Sequence, residues 1–285
     1  MLNELTIVIP TVGEDSLYKL IDKLNFDEGK KIKFIISPIR EKYLIIKDKI
    51  KDNNVEVVFN KYDGQVTQRL NGFKCAQTKY VMQLDADCFI NLLDLKKMIN
   101  ELNNLNKNQK NNCTLAPVFI DIINNQPIHK IKFSIKSFLS DLILGFPLGV
   151  KKMGKISLSG TNFGVDPSFM KSDLIETDWL PGGCILHLKN NLVMFDYYPF
   201  KGKAFCEDLI HSHFLKKKNK LFITKKAICK TSFPIFPKDK TNFRKFLDAF
   251  KFFTIDLENK NYIRYSIISL IYKLRFLINA YRNSR

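Results

Sequence analysis

Two carboxylates, Asp85 and Asp87, directly follow the apolar run of residues 80–84. Side chains two positions apart on an extended chain point to the same side, so both carboxylates can reach one hard cation. Mg²⁺ or Mn²⁺ would accept these oxygens together with phosphate oxygens and water. An ion held there would reduce the charge repulsion of a nucleotide diphosphate and make it a better leaving group. Surface loops also carry this spacing by chance, but the position after a buried strand favours the metal site.

A second acidic pair, Glu207 and Asp208, lies near the start of a predicted helix over residues 206–218. We interpret Asp208 as a general base that removes the proton of an attacking acceptor hydroxyl. Glu207 would orient Asp208 or contact the acceptor. His211 shares their helix face, and we predict that it hydrogen-bonds a carboxylate, contacts phosphate or binds the acceptor. The structural alternative is that the two acids only stabilise the helix N-terminus through its macrodipole.

A third candidate segment contains Trp179, the only tryptophan, followed by Gly182 and Gly183. The indole could stack on the apolar face of a sugar, and the paired glycines permit close approach of a ligand to the backbone. These three residues are therefore predicted acceptor contacts. The alternative is a core tryptophan beside a tight turn.

Four apolar runs, at residues 5–9, 32–36, 55–59 and 80–84, predict strands, and amphipathic stretches between them predict helices. Their alternation predicts an α/β fold with a parallel, doubly wound sheet flanked by helices. Ligands bind beyond the carboxyl ends of the strands in such sheets. Pro10, Ser37, Asp63 and Asp85 lie at or just past these ends. Arg69 lies on a helix that begins near residue 64, where it could contact a ligand or be a solvated surface residue.

The rest of the chain is less regular. Residues 92–102 predict a helix, 103–112 a polar loop, 114–120 a strand, and 133–150 an interfacial or buried helix. Basic, aromatic helices follow residue 241. One of them carries an apolar stripe with basic flanks, as follows: Ile267, Leu270, Ile271, Leu274, Ile278 and Tyr281 in the stripe, and Arg264, Lys273, Arg275 and Arg282 beside it. Such a helix can lie on an anionic membrane surface, or it can pack on its own domain or a partner subunit.

The chain has 285 residues and a formal net charge of +18, which suits an anionic partner. Nucleic-acid binding is not expected, because basic and aromatic residues are not interleaved in a recognisable motif. The six cysteines have no metal-binding or disulfide spacing, which is typical of a reducing compartment. With no predicted signal peptide or membrane span, we expect a cytoplasmic protein, free or bound to a membrane surface.

Five segments together resemble an inverting family-2 glycosyltransferase with the GT-A fold. They are residues 6–11, 64–69, 80–87, 179–183 and 203–209, in an order that fits over residues 4–225. The resemblance implies a GT-A-type doubly wound, mixed, mostly parallel sheet, and transfer of a sugar from a nucleotide diphosphate sugar. It also implies that Asp85 contacts the nucleotide, that Asp87 binds the metal, and that Asp208 is the base.

The donor would also be held by residues at the carboxyl edge of the sheet. The predicted contacts are Pro10, Thr11, Glu14, Ser37, Arg40, Asp63, Gln68, Arg69 and Asp85. Many relatives carry acidic residues after the second strand, where this chain has Ser-Pro-Ile-Arg at residues 37–40. A catalytic domain is predicted over residues 1–235, with a donor half (1–120) and an acceptor half (121–235), followed by amphipathic helices over 236–285.

The resemblance and the basic C-terminal helix together predict a UDP-linked donor and a lipid-linked glycan acceptor at the inner face of the cytoplasmic membrane. The pathway would be synthesis of a cell-surface polysaccharide or lipooligosaccharide. A sugar-nucleotide nucleotidyltransferase is an alternative, although residues 10–14 lack the basic, glycine-rich phosphate loop that such enzymes carry. A non-enzymatic, basic nucleic-acid-binding protein is a further alternative, which would leave the acidic pairs unexplained.

Overall fold

The computed structural model describes residues 1–108, 112–232 and 236–283. The strands are β1 (Leu5–Thr11), β2 (Lys33–Pro38), β3 (Val55–Val57), β4 (Tyr80–Leu84), β5 (Asn112–Asp121), β6 (Leu174–Thr177), β7 (Cys184–Leu188) and β8 (Asn219–Thr231). The helices are α1 (Asp15–Leu24), α2 (Tyr43–Lys49), α3 (Gln65–Cys75), α4 (Leu92–Asn108), α5 (Ile135–Leu144), α6 (Glu207–Lys216), α7 (Lys240–Lys251) and α8 (Tyr262–Asn283). The predicted boundary at residue 235 lies outside the described residues.

The strands form one eight-stranded sheet in the order β3-β2-β1-β4-β7-β5-β8-β6. The pairs β3–β2, β2–β1, β1–β4 and β5–β8 are parallel, whereas β7 is antiparallel to both of its neighbours and β6 is antiparallel to β8. The predicted mixed, mostly parallel sheet is confirmed. β1 and β4 are buried at every position, because helices cover both faces of a parallel sheet.

The ends of several elements differ from the prediction, among them those of β1 and α4 and of the helix predicted over 133–150, which spans only 135–144. β1 continues through Pro10 to Thr11, because its pairing with β4 ends at Val8 and Pro10 faces only β2. A proline there removes no ladder bond to β4. α4 continues from the predicted end at residue 102 to Asn108, since Leu105 is also buried against the core. Residues 109–111 of the predicted loop lie outside the described part.

The two helices of the C-terminal segment pack on each other through aromatic rings. α7 leads into a π-helical turn, Phe252–Leu257, and then into α8. Phe276 of α8 stacks on Phe243 of α7 with ring centroids 4.3 Å apart, and Tyr272 contacts Phe246 at 5.2 Å. In the described part of the chain, no helix combines the length and apolar character needed to cross a membrane.

Candidate functional site

A cleft of about 570 Å³ opens at the carboxyl ends of β1 and β4. It collects seven of the predicted residues, namely Pro10, Thr11, Glu14, Asp63, Gln68, Asp85 and Asp87. The opposite wall comes from the loop before α6, at Gly202, Lys203 and Ala204. This wall therefore brings the segment that precedes Asp208 to the same cleft as the first acidic pair.

The loop after β1 is held by its own acidic side chain. The Glu14 carboxylate accepts hydrogen bonds from the Thr11 hydroxyl, at 2.6 Å, and from the Val12 amide, at 2.9 Å. The Gly13 amide donates to the Thr11 hydroxyl at 2.9 Å. These amides are thus already bonded within the loop, which differs from a phosphate-binding loop whose amides point at the ligand.

Asp87 lines the cleft, and its pKa is shifted in the direction expected for a carboxylate close to another carboxylate. Burial and the neighbouring Asp85 carboxylate raise the pKa of Asp87. Among the described residues, no group of three or more His, Cys, Asp or Glu side chains is arranged to hold a metal. If Asp85 and Asp87 held a hard cation, most of its ligands would be phosphate and water oxygens, as is common for Mg²⁺.

Arg69 connects the two acidic pairs. Its Nη2 lies 2.6 Å from Asp85 Oδ1, and its Nη1 lies 2.7 Å from Glu207 Oε2. The Arg69 side chain is only 2% exposed. Burial opposes its charge, but the two carboxylates outweigh burial and raise the pKa of the guanidinium well above its usual value. The predicted donor contact by Arg69 is thus corrected: its guanidinium lies beneath the site and pairs with Asp85 and Glu207.

Asp208 lies on the first turn of α6, directly after Cys206 and Glu207. Cys206 adopts a left-handed backbone conformation, with φ of 55°, which turns the chain sharply into the helix. Burial, followed by the charge of Glu207, raises the pKa of Asp208 to about 7. A carboxylate with this pKa can accept a proton near neutral pH, as a general base must.

Gly182 and Gly183 lie between the two acidic pairs. A Cβ on Gly182 would be 3.0 Å from Glu207 Oε2 and 3.3 Å from Asp208 Cβ. A Cβ on Gly183 would be 2.6 Å from Cys88 Sγ and 3.8 Å from Asp85 Oδ2. The predicted close approach therefore occurs, but to the protein's own acidic segments. The glycines let α6 and the end of β4 come together, and the structure shows no acceptor surface at these two residues.

Two further predicted acceptor contacts are buried. Trp179 is 2% exposed, and its indole N–H donates to the Phe163 carbonyl at 3.1 Å. His211 is 1% exposed, stacks on Tyr197 with centroids 5.1 Å apart, and burial lowers its pKa to about 3. Neither side chain can reach a ligand in the cleft. The alternative of a core tryptophan is correct, and His211 is a neutral core residue.

Three more predicted donor contacts have partners within the protein, namely Ser37 in β2, Arg40 after it and Gln68 on α3. Ser37 is fully buried and donates its hydroxyl hydrogen to the Gln68 carbonyl at 2.7 Å. The Arg40 amide donates to Asp63 Oδ1 at 2.8 Å, and its side chain is not among those lining the cleft. Gln68 lines the cleft, but its side-chain nitrogen, Nε2, donates to the backbone carbonyls of Thr11 and Ser37. Ser37 is thus an interior residue, and Gln68 joins β1 and β2.

Three polar residues at the site had no predicted role. The Tyr197 hydroxyl donates to Glu207 Oε1, so both Glu207 oxygens are occupied by protein groups. Glu207 therefore supports the site and does not contact the acceptor. Gln65 donates to both Asp85 oxygens at 3.3–3.4 Å. Gln83 donates to the Gly182 carbonyl, and its position in the middle of a buried apolar strand was a signal for such a role.

Residues 6–109 match the family model described as glycosyl transferase family 2. The match contains β1 to β4 with Asp85 and Asp87, and it confirms the predicted resemblance for this part of the chain. It also supports the prediction that the protein is a glycosyltransferase. A search of curated proteins found no match.

Solved structures extend the similarity to most of the chain. The crystal structure of GalNAc-T7 with UDP, GalNAc and Mn²⁺ has a TM-score of 0.55 at 14% identity, and covers 88% of this chain and 49% of that chain. S. aureus TarS 1–349 in complex with UDP-GlcNAc has a TM-score of 0.55 at 13% identity, and covers 98% and 72%. This chain thus spans about half the length of the GalNAc-T7 chain. At these identities the likeness confirms the GT-A fold.

Proposed function

We propose that this protein is an inverting glycosyltransferase that moves a sugar from a UDP-linked donor to a glycan acceptor, with Mg²⁺ or Mn²⁺ as cofactor. The observation that carries the proposal is that Asp85 and Asp87 share one cleft with residues 202–204 of the loop before α6, while Arg69 joins Asp85 to Glu207 at the start of that helix. The family match over residues 6–109 supports this reaction class. UDP appears in both solved structures described above, which supports the choice of nucleotide.

Donor recognition would use the part of the cleft nearest β1. Pro10, Thr11 and Glu14 would lie against the nucleoside, with Asp63 and Gln68 along the same wall. Asp85 would contact the nucleotide and Asp87 would bind the metal. The two carboxylates fit a hard cation that takes its remaining ligands from phosphate and water. Such a cation would offset the negative charge on the departing diphosphate.

Asp208 would remove the proton of the acceptor hydroxyl as this oxygen attacks the anomeric carbon. Attack from the face opposite the diphosphate, in a single displacement, inverts the configuration at that carbon. Glu207 would keep its neighbour in place, because its own oxygens are bonded to Arg69 and Tyr197. With a pKa of about 7, Asp208 would be substantially deprotonated at neutral pH before the acceptor arrives.

The acceptor would be a lipid-linked glycan, extended at the inner face of the cytoplasmic membrane during synthesis of a cell-surface polysaccharide or lipooligosaccharide. The support is the exposed apolar stripe of α8, which includes Ile267, Leu270 and Leu274. Basic residues lie beside the stripe, and each basic residue near an anionic membrane surface contributes about 1 kcal/mol. A membrane-bound enzyme would meet lipid-linked acceptors in the plane in which they diffuse.

The nucleotidyltransferase alternative is less well supported by the loop after β1. The Val12 and Gly13 amides are bonded to Glu14 and Thr11, so they do not form a free anion-binding loop. The identity of the released product separates the two reactions. A transferase releases a nucleoside diphosphate, whereas a nucleotidyltransferase that makes a sugar nucleotide releases pyrophosphate.

A panel of UDP-sugars with Mn²⁺, measured by thermal shift, tests the proposal directly. Binding at about 100 times Kd stabilises the folded state by about 2.7 kcal/mol, so the melting temperature should rise by several degrees. Asp87→Ala should remove the metal-dependent part of this rise. Asp22→Ala is the matched control, because Asp22 is an exposed acid on α1 outside the cleft.

Two outcomes of the thermal-shift experiment would contradict the proposal. If no UDP-sugar shifts the melting temperature, or if Asp87→Ala and Asp22→Ala behave alike, the donor site is misassigned. UDP release that depends on an added acceptor would support transfer. Pyrophosphate release from a nucleoside triphosphate and a sugar phosphate would favour the nucleotidyltransferase.

A further inference from the structure

The outer sides of α5 and α8 form a continuous apolar surface, which we call the α5–α8 face. Ile135, Leu139 and Ile143, spaced four residues apart on α5, line a groove of about 450 Å³ together with Ile271 of α8. Other exposed apolar side chains extend the face, namely Phe138 and Leu142 on α5 and Ile263, Ile267, Leu270, Leu274, Leu277, Ile278 and Tyr281 on α8. Soluble proteins rarely expose contiguous apolar patches of more than a few hundred Å² without a partner.

The two helices are fixed to each other, so the face has a defined shape. Arg264 of α8 donates from Nη1 to the Leu142 carbonyl at 2.6 Å and the Ile143 carbonyl at 2.7 Å. These carbonyls belong to the last turn of α5, where the Gly145 amide also donates to the Leu142 carbonyl at 3.2 Å. The Asn261 amide, just before α8, also donates to the Leu158 carbonyl at 3.1 Å.

The inner side of α8 is already occupied by the protein itself. Tyr272 and Phe276 pack on the aromatic rings of α7, and Ile268 is only 5% exposed. α8 therefore has two apolar sides, and within residues 1–108, 112–232 and 236–283 only one of them is covered. Packing within the domain does not explain why Leu270, Leu274 and their neighbours are apolar.

The charge around the face identifies its partner. α8 contains four basic residues but no Asp or Glu. Arg264 binds the α5 carbonyls and Arg275 lies over the Phe236 ring, whereas Lys273 and Arg282 are exposed. α5 has a single acid, Asp141, which is buried and ion-paired with Lys152 at 2.8 Å. Two copies of such a face would bring like charges together, which disfavours a dimer. An anionic lipid surface supplies both the apolar region and the missing negative charge.

We propose that the α5–α8 face docks on an anionic lipid bilayer, with both helices lying in its interfacial region. The inference rests on the lipid-linked acceptor in the proposed function and adds α5 as a second contact. The face is connected to the cleft by packing. Phe205, next to the cleft wall at Ala204, contacts Phe246 with centroids 6.2 Å apart, and Phe246 contacts Tyr272 of α8.

Vesicle flotation of the full-length protein tests the inference. The vesicles would contain phosphatidylcholine alone or phosphatidylcholine with phosphatidylglycerol. We expect binding to the anionic vesicles and its loss at high salt. Ile135→Glu with Leu139→Glu on α5, and Leu270→Glu with Leu274→Glu on α8, should each weaken this binding at least about tenfold.

The matched control is Leu44→Glu with Ile45→Glu, which adds the same charge at two exposed apolar residues of α2. This control should bind vesicles within about twofold of the unchanged protein. Circular dichroism melting should show that all three double variants are folded. An α5 variant that binds like the control would remove α5 from the interface and overturn the inference.

The outcomes also separate this inference from the proposed function. UDP-sugar binding with absent vesicle binding would overturn the docking face and leave sugar transfer intact. Vesicle binding without any UDP-sugar binding would support the docking face and contradict the proposed sugar transfer. If sedimentation velocity shows a dimer that the α5 and α8 variants dissociate, while vesicle binding is unchanged, the partner is a second copy and the inference is wrong.

Discussion

Around Arg69 opposite charges are buried and paired, whereas the α5–α8 face exposes apolar side chains, and its helix α8 carries four basic residues and no acidic one. Asp85 and Glu207 both contact one guanidinium, and Gln65 and Tyr197 bond to their remaining oxygens. On the outer side of α8, by contrast, Leu270 and Leu277 are more than half exposed. The first region pairs its charges within the chain, whereas the second is the face for which we propose a lipid partner. We therefore expect substitutions in the two regions to have separable effects.

The largest separation is expected for Asp208→Asn. Loss of a general base lowers the rate of transfer by about 10²- to 10⁴-fold, because the acceptor proton has no positioned carboxylate to receive it. UDP-sugar binding and vesicle flotation should be unchanged. Single-turnover kinetics with a lipid-linked or synthetic acceptor would measure the rate. Near-normal turnover would exclude Asp208 as the base.

Arg69→Met should cause a large loss of folding stability in the buried cluster. Removing one partner of a buried ion pair typically costs about 3–5 kcal/mol, and here two carboxylates lose their cation. Urea unfolding would measure this loss. Arg244→Met is the matched control, since Arg244 is exposed on α7 and should leave the midpoint unchanged. Equal midpoints for the two variants would mean that the pairing is not important for stability.

The two regions should also respond differently to pH: stability and transfer should change with the protonation of Asp208, whereas vesicle binding should change little. The pKa of Asp208 is raised from 3.8 to about 7 in the folded protein, so the folded state binds this proton more tightly than the unfolded state. The unchanged protein should therefore lose stability relative to Asp208→Asn as pH rises from about 4 to above 7. The difference is on the order of 2 kcal/mol after allowance for partial exposure of Asp208.

Protonation of Asp208 should also determine how the rate of sugar transfer depends on pH. Transfer should increase with pH and level off above about 7, because only the deprotonated carboxylate accepts a proton. Vesicle binding should change little over this range, since the exposed side of α8 has no acid or histidine. Urea unfolding at pH 4.5 and 8, with rate and flotation profiles, would check these expectations. A flat rate profile would contradict the assignment.

The smallest effects should distinguish the two sides of α8. Phe276→Ala removes the ring that stacks on Phe243 and should cost about 1–3 kcal/mol of stability. Leu274→Ala removes an exposed side chain and should change stability by less than about 0.5 kcal/mol, while it weakens vesicle binding. Thermal unfolding and flotation of both variants would test this. A destabilised Leu274→Ala would indicate that the outer side is covered by the chain itself.

The donor half of the fold was largely predictable because its signals are local. Buried parallel strands read as short apolar runs, and α1 buries Leu17, Leu20, Ile21 and Leu24 at the predicted helical spacing. The acceptor half was harder to predict. β7 was not predicted, because the sequence does not show that Cys184–Leu188 inserts between β4 and β5.

The candidate site, like the fold, could be predicted only in part from the sequence. Asp85, Asp87 and Asp208 could be proposed from the sequence, because acids after a strand or at the start of a helix are visible locally. It did not show that Arg69 would turn inward, since its second partner, Glu207, lies far along the chain. Trp179 and His211 were misjudged for a related reason. Only the assembled core determines whether an aromatic side chain faces a ligand or is buried.

The shared guanidinium also constrains how this protein can change over generations. No member of the Asp85–Arg69–Glu207 set can be exchanged alone without leaving a buried charge unmatched. Compensating substitutions are therefore expected to arise together in descendants of this chain. A chimera that joins residues 1–108 of one homologue to the remainder of another should fold well only when both parents agree at these three positions.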